Sequence, residues 1–382
     1  MIHHIKRATR HLIFWSLIAS AISLTVVRLL LLGIDHYKAD ISTRVSELVG
    51  APVKIGRLRA NMRGYNPELI IKDIEILPLI PKLQTGNENS PAIQFKEIRL
   101  GINLLDVLVN RDRLASTWVT FVGAKLTVRR KQDGSIAVVG LKASDEQPLW
   151  LLQGSKYEVL QSEISWQDER SQNKLAVVGK VDFAIMNKAQ QHQVHILVKL
   201  PKKYGNELRV SMDLTGNVFE PSAIDGAVFV EGKNLNIAEW MTLGVPLSMD
   251  IRSGSGDFKI WSELQHSQLV AMDGDVQLQR MKAFRQDNDV FSVKQLKTFF
   301  HWRLNSQQWR LDVEKFLLET ADAQGEKKWP DAVFSVAGFI KDSNSSHKAA
   351  VFARQLDLRE ASRVAQFFAP LSKEVNVLLV QA

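Results

Sequence analysis

Apolar and polar residues alternate with a period of two along most of the chain from Val53 onward. This alternation predicts strands with one apolar face and one hydrated face, which favours antiparallel sheet. The clearest rows are Val177, Gly179, Val181, Phe183 and Ile185; Val194, Ile196, Val198 and Leu200; and Leu208, Val210, Met212 and Leu214. Further strands are expected at 157–166, 227–231, 256–262, 269–280, 290–303, 308–318 and 332–338.

Turn signals separate several of these strands. Asp133-Gly134, Gly205-Asn206 and Asp225-Gly226 are dipeptides typical of hairpin turns. Between Phe95 and Ile98 the apolar positions shift phase, which predicts a β-bulge at Lys96–Glu97. Helical patterns after residue 50 are few and short, at 104–110, 236–241 and 357–368.

The first 34 residues follow a different pattern. Residues 1–11 form a basic head, and Leu12 to Ile34, which includes Trp15, is apolar except for Arg28. These 23 residues match the length that a helix needs to cross a bilayer, so we predict a transmembrane anchor at 12–34. A signal peptide cleaved near Ala19-Ser20-Ala21 and a buried core helix are the alternatives.

Arg28 lies close enough to the end of the predicted anchor for its side chain to reach the head groups, or to meet a partner helix or a lipid phosphate. Basic residues flank both ends of the anchor almost equally. A short head before a long domain places residues 1–11 in the cytoplasm and the bulk of the chain outside it.

An amphipathic helix is expected at 35–50, directly after the anchor. Its apolar residues recur at spacings of three and four, and Gly50 and Pro52 predict where it ends. The stripe comprises Ile34, Tyr37, Ile41, Val45 and Leu48. We expect it to pack on a β-rich domain at 51–382, which continues beyond this chain.

Composition narrows the possible functions. The chain has 45% hydrophobic residues, no cysteine and a net charge of +8, with the basic residues scattered. Thiol and disulfide chemistry are excluded, and nucleic-acid binding is disfavoured. Gly254-Ser255-Gly256 lacks the context of a nucleophile elbow or a phosphate loop, and His192 and His195 face opposite sides of a strand. We therefore expect no enzyme activity, no metal and no cofactor.

Aromatic residues stand next to arginine in the adjacent predicted strands at 299–304 and 306–313. Core packing and an apolar site for acyl chains both explain this pattern.

Several segments carry a resemblance to a known family: the basic head, the anchor, the segment 50–77, and the stretches 129–141 and 148–168. Two similar strand-to-helix segments, at 227–239 and 350–360, belong with them. In these segments the chain resembles the AsmA-like periplasmic proteins, and within them the YhdP-type branch. Members of this branch are typically much longer, so the chain resembles an N-terminal portion.

The resemblance implies a mainly β fold, in which a long, curled antiparallel sheet forms an apolar groove. It implies that an inner-membrane-anchored protein of the Gram-negative periplasm binds phospholipids and aids their transport to the outer membrane. Other envelope proteins could be recruited through the anchor. We expect acyl chains to contact Val194, Ile196, Val198, Leu208, Val210, Met212 and Leu214. The alternative is an envelope scaffold with a closed β-core that acts through protein partners.

Overall fold

The computed structural model describes residues 11, 13–22, 25, 33–77, 93–110, 116–139, 154–170, 175–217, 220, 223–241, 250–284, 290–305, 308–322, 325–329, 331–339 and 349–354. The described residues are mainly strands with a few short helices, as the sequence predicts. The chain divides into two compact units. The first comprises Met1–Val177 with Val181–Lys188, and the second comprises Val178–Lys180 with Ala189–Ala382.

The first unit combines antiparallel and parallel pairing. β1 to β4 pair as antiparallel neighbours, and β5 forms a hairpin with β6. β4 and β5 each pair with β7 in parallel, which corrects the expectation of a purely antiparallel sheet. The bounds are β1 Val53–Arg63, β2 Asn66–Ile76, β3 Ile93–Ile102, β4 Thr117–Val122, β5 Lys125–Arg130, β6 Ile136–Val138, β7 Lys156–Asp168 and β8 Leu175–Lys188.

Helix α1 (Lys38–Val49) packs its apolar side on the core of the first unit, after a 3-10 turn at Ile34–Tyr37. Gly50 ends α1 in the left-handed conformation with a φ of 69°, the role that the sequence predicts for it. Ser42 Oγ donates to the carbonyl of Val53 at 2.6 Å, which fixes α1 on β1. The core residues are Ala51, Val53, Ile55, Leu58, Ile71, Ile74, Ile76 and Ile93.

Two details of the predicted apolar stripe and bulge are corrected. Tyr37 is 61% exposed and does not join the stripe, whereas Ile34, Ile41 and Val45 pack on the core. The bulge at Lys96–Glu97 is absent, because the pairing of β2 with β3 keeps one register on both sides of it.

The phase shift itself is real and crosses three strands. Residues three apart on β1, β2 and β3 reach the same core, and the strands change phase side by side, so no residue is inserted in β3. These pairs are Ile55 and Leu58, Ile71 and Ile74, and Phe95 and Ile98.

The N-terminal apolar segment is described in part. Residues 13–22 are helical, and their large side chains Ile13, Phe14, Trp15, Leu17 and Ile22 are each more than half exposed. Within the described residues, the structure contains no helix with both the length and the apolar character that crossing a membrane requires.

The second unit contains the longest strands, and its strand pairs are antiparallel throughout the described register. Short helices are α2 (Leu104–Asn110) in the first unit and α3 (Ile237–Met241) in the second. The strand bounds are β9 Gln191–Lys199, β10 Glu207–Thr215, β11 Asp225–Asn236, β12 Asp250–Gln265, β13 Gln268–Phe284, β14 Val290–Leu304, β15 Gln308–Asp322, β16 Gly325–Lys328, β17 Ala332–Phe339 and β18 Ala349–Ala353.

The predicted turn at Asp225-Gly226 is wrong, because both residues belong to β11. Asp225 Oδ1 accepts a hydrogen bond from the backbone N–H of His266, at the turn between β12 and β13, at 2.7 Å. A Cβ on Gly226 would lie 2.1 Å from the carbonyl oxygen of Asp213, so glycine is needed for close approach of two strands. The turn at Gly205-Asn206 and the turn at Asp133-Gly134 lie where they are predicted.

Candidate functional site

One row of apolar residues crosses nine strands of the second unit. In an antiparallel pair, residues directly opposite each other project to the same side of the sheet. Following the register from β9 to β18 therefore defines a central row. Its members are Ile196, Val210, Val230, Ile260, Gly274, Phe300, Val313, Phe334 and Ala353. We call the side of the sheet that carries this row the apolar face.

Rows on both sides of the central row are also largely apolar. The seven residues that the sequence suggests for a lipid groove all lie on β9 and β10 of this face. Six of them form three directly opposed pairs, Val194 with Met212, Ile196 with Val210, and Val198 with Leu208, and the seventh is Leu214. The structure thus brings all seven together on one side of one strand pair.

The apolar face is only half-buried along its middle. Val210, Val230, Ile260 and Phe300 each keep an intermediate exposure, although the sheet neighbours on both sides are in place. In a closed sandwich, residues in the centre of such a face would be covered by a second layer. Among the described residues of this unit, α3 is the one helix packed on the strands, and it contacts β12.

One end of the apolar face is closed by a local core. Ile237 and Met241 of α3 pack against a buried cluster formed by β12 to β15 and Trp329. The Trp240 indole N–H donates to the carbonyl of Tyr204 at 2.9 Å and fixes α3 in this position. The buried members are Ile251, Met281, Ala283, Phe291, Val293, Leu318 and Trp329.

Glycines let large rings lie flat on the apolar face. A Cβ on Gly274 would lie 2.3 Å from the ring of Phe300, and one on Gly232 would lie 2.6 Å from the ring of Phe258. Each ring therefore lies over the glycine of the neighbouring strand instead of projecting away from the sheet.

The opposite side of the same strands, which we call the polar face, carries ion-pair networks. Glu231 lies 3.5 Å from Arg209 and from Lys233. Arg303 donates to Asp273 at 2.6 Å and holds the pKa of that carboxyl below its ordinary value. His301 Nδ1 lies 2.8 Å from the same carboxylate. Charges on this side and apolar residues on the other fix which side can meet a hydrocarbon chain.

The remaining candidate residues are placed as follows. His192 is buried with Nε2 3.1 Å from the carbonyl oxygen of Gly216, while His195 is exposed on the polar face beside Ser211. The described part of the chain holds no group of three metal-ligating side chains. Trp15 is 64% exposed, and Ile34 packs on the core of the first unit. Leu12 and Arg28 lie outside the described residues, as does the helix expected at 357–368.

Sequence reasoning left the aromatic part of the apolar face undecided. Phe300 and Trp302 point to the apolar face, and the intervening His301 points to the polar face. The sequence at 299–304 showed only that aromatic residues stand beside arginine. The sequence does not show which strands lie beside this one, and those neighbours decide whether the rings line an open surface or a closed core.

Within the described residues, the geometry defines a β-rich protein whose longest strands carry a partly exposed apolar face and a charged face. Among known families, the profile of the family described as "YhdP protein" matches residues 1–382, and the chain belongs to this family. The chain is 20% identical over 366 residues to a curated protein of Escherichia coli (strain K12) named "Intermembrane phospholipid transporter YhdP". The match covers 93% of this chain and 27% of that protein, so the chain spans about a quarter of the relative's length. No solved structure matches the chain.

Proposed function

We propose that this protein binds phospholipid acyl chains on the apolar face and aids phospholipid transport between the inner and outer membranes. The observation that carries the proposal is the central row, in which apolar residues stay in register over nine strands and all members but Gly274 and Val313 remain half-exposed. The function stated for the Escherichia coli relative supports it. The role requires no chemical step, and the protein acts as a carrier and not as an enzyme.

The dimensions of the apolar face suit an acyl chain. Nine strands are separated by eight steps of about 4.8 Å, which gives a row of about 38 Å. A bilayer's hydrocarbon core of about 30 Å contains two acyl layers, so one chain needs about 15 Å. A phospholipid can therefore lie along the row with its chains on the apolar residues. Each methylene removed from water contributes about 0.8 kcal/mol, with no specific contact needed.

The proposal includes a membrane anchor at 12–34, a cytoplasmic head at 1–11 and a periplasmic location for the chain from residue 51 onward. The exposed apolar side chains of residues 13–22 support an anchor, because such a surface is costly in water. Arg28 near the end of the anchor meets lipid head groups or a partner helix of another envelope protein.

Photo-crosslinking in living cells tests lipid contact directly. A benzophenone amino acid at Val210 or Phe300 is expected to capture phospholipid, since both side chains lie on the apolar face. The matched control places the same probe at Ser211, which is one residue from Val210 on the polar face. Equal lipid capture at Val210 and Ser211, or capture of proteins alone at Val210, would reject the proposal and favour an envelope scaffold.

The side of the inner membrane on which this domain lies can be tested separately by cysteine labelling, because the chain itself contains no cysteine. A single cysteine at the exposed residue Gln268 gives a unique label site. A maleimide that cannot cross the inner membrane should label it in cells whose outer membrane alone is permeabilised. Labelling only after lysis would place this domain in the cytoplasm and overturn the proposed topology.

A further inference from the structure

A concavity of about 730 Å³ lies in the second unit, next to Met281 and Val293 of the buried cluster that closes one end of the apolar face. Four basic side chains line it: Lys202, Arg280, Lys282 and Lys294. Lys282 is directly opposite Ser253 on one side and Ser292 on the other, so these three positions share one side of the sheet. We call this concavity the basic cleft.

Irregularities aligned on neighbouring strands produce the basic cleft. Asn234 on β11 and Arg280 on β13 adopt the left-handed conformation, with φ of 48° and 50°. The pairing register shifts between Ser253 and Ser255 on β12, and at Lys294 on β14. A bulge bends its strand and re-aims side chains. Four adjacent strands that bend at the same level therefore make the polar face locally concave.

The charges in the basic cleft are not balanced. Glu326 is the one acidic residue of the described lining, and it pairs with Lys294 at 2.6 Å. Within the described chain, Lys202, Arg280 and Lys282 form no ion pair. Four cations against one carboxylate leave an excess of three positive charges. Elsewhere on the polar face some cations are paired, as Arg303 is with Asp273.

The lining also offers neutral hydrogen-bond donors. Two hydroxyls and two side-chain amides line the basic cleft, from Ser255, Ser292, Asn234 and Asn236. The Ser253 hydroxyl donates to the backbone carbonyl of Arg280 at 3.1 Å, which holds the bend in β13. Cations combined with hydroxyl and amide donors are the groups that bind phosphate oxygens.

We propose that the basic cleft binds a phosphate ester. Its volume lies within the range of about 300–1,000 Å³ found for small-molecule sites and exceeds the space that one phosphate ion needs. The source is either a soluble phosphate ester or the head group of a phospholipid, since both present the same phosphate oxygens. Lys282, Ser253 and Ser292 lie on the side of the strands opposite to the buried cluster. The site does not rest on the proposed transport function.

The test is calorimetric titration of the full chain, in a non-ionic detergent, with sn-glycerol 3-phosphate. We expect saturable binding that weakens as salt is added, because screening acts on exposed charges. The cleft variant combines Lys202→Gln, Arg280→Asn and Lys282→Gln, with asparagine chosen because it tolerates positive φ. It should bind at least about tenfold more weakly than the unaltered chain.

The matched control removes the same three charges elsewhere, by Lys199→Gln, Lys297→Gln and Lys315→Gln. All three lysines are exposed on strands of the second unit and lie outside the lining of the basic cleft. The control should bind like the unaltered chain. Absent saturable binding, or an equal loss in both triple variants, would overturn the site.

A second probe separates the two sources. Glycerophosphoglycerol carries the phosphodiester of a head group without acyl chains. If it binds as tightly as glycerol 3-phosphate, the site accepts a head group; if only the monoester binds, the site takes a soluble ester. Val210→Asp should leave both titrations unchanged, so a failure of the lipid proposal is distinguishable from a failure of the basic cleft.

Discussion

A carboxylate placed in the central row should abolish acyl-chain binding at that point. Val210 is directly opposite Ile196 on one neighbouring strand and Val230 on the other, and all three are half-buried. A chain that crosses one strand spacing of about 4.8 Å places about four methylenes there. At about 0.8 kcal/mol for each methylene, Val210→Asp forfeits about 3 kcal/mol of lipid affinity. That loss weakens binding more than about 100-fold.

The assay uses a phospholipid with brominated acyl chains, which quenches tryptophan on contact. Trp302 lies on the apolar face, so bound lipid should quench the fluorescence of the full chain in a non-ionic detergent. Ser211→Asp adds the same charge one residue away on the polar face and should retain quenching. Without lipid, the Asp at position 210 is partly hydrated, and the fold should lose only about 1 kcal/mol. Unchanged quenching by a folded Val210→Asp variant would refute the reasoning.

Three further predictions concern stability. Leu58 is 2% exposed in the core of the first unit, so Leu58→Ala should cost about 2–5 kcal/mol in urea unfolding, and a loss under about 1 kcal/mol would contradict the packing described. Gly274→Ala places a methyl group against the Phe300 ring and should cost about 1–3 kcal/mol; a neutral effect would show that the ring does not lie flat. Arg303 lowers the pKa of Asp273, so that carboxylate stabilises the fold above its unfolded pKa of about 3.9, and the contribution is lost as pH falls through the lower folded pKa. Asp273→Asn should therefore flatten the acid limb of stability below about pH 4, and an unaltered limb would contradict the ion pair.

Local patterns predicted structural features well where the feature depends on a single strand or helix. Gly50 ends α1, and the alternation at 208–214 gives β10 with its apolar residues on one side. Prediction failed where the role of a residue depends on contact with a strand distant in sequence. Gly226 resembles a turn glycine, yet it admits the backbone of Asp213 on a neighbouring strand.

The candidate site was predictable in part for the same reason. Val210 and Ile196 were identified from alternation alone, and the register places them opposite each other. Phe300 lies in an aromatic stretch whose role the sequence left open, because its packing depends on Gly274 of the next strand, which the sequence does not identify as a neighbour. The basic cleft was not foreseeable, because Lys202 and Arg280 come from separate segments and meet only where several strands bend together.

The sequence by itself determined the alternation of side chains along each strand, and the residue at which α1 ends. That information is local, since side chains in a strand alternate regardless of which strand lies beside it. The tertiary structure alone decided which strands pair, including the parallel pairing of β4 and β5 with β7. It also aligned the apolar rows into one continuous face and the bulges into one cleft. Both depend on hydrogen bonds between segments distant in sequence, whose register no local pattern specifies.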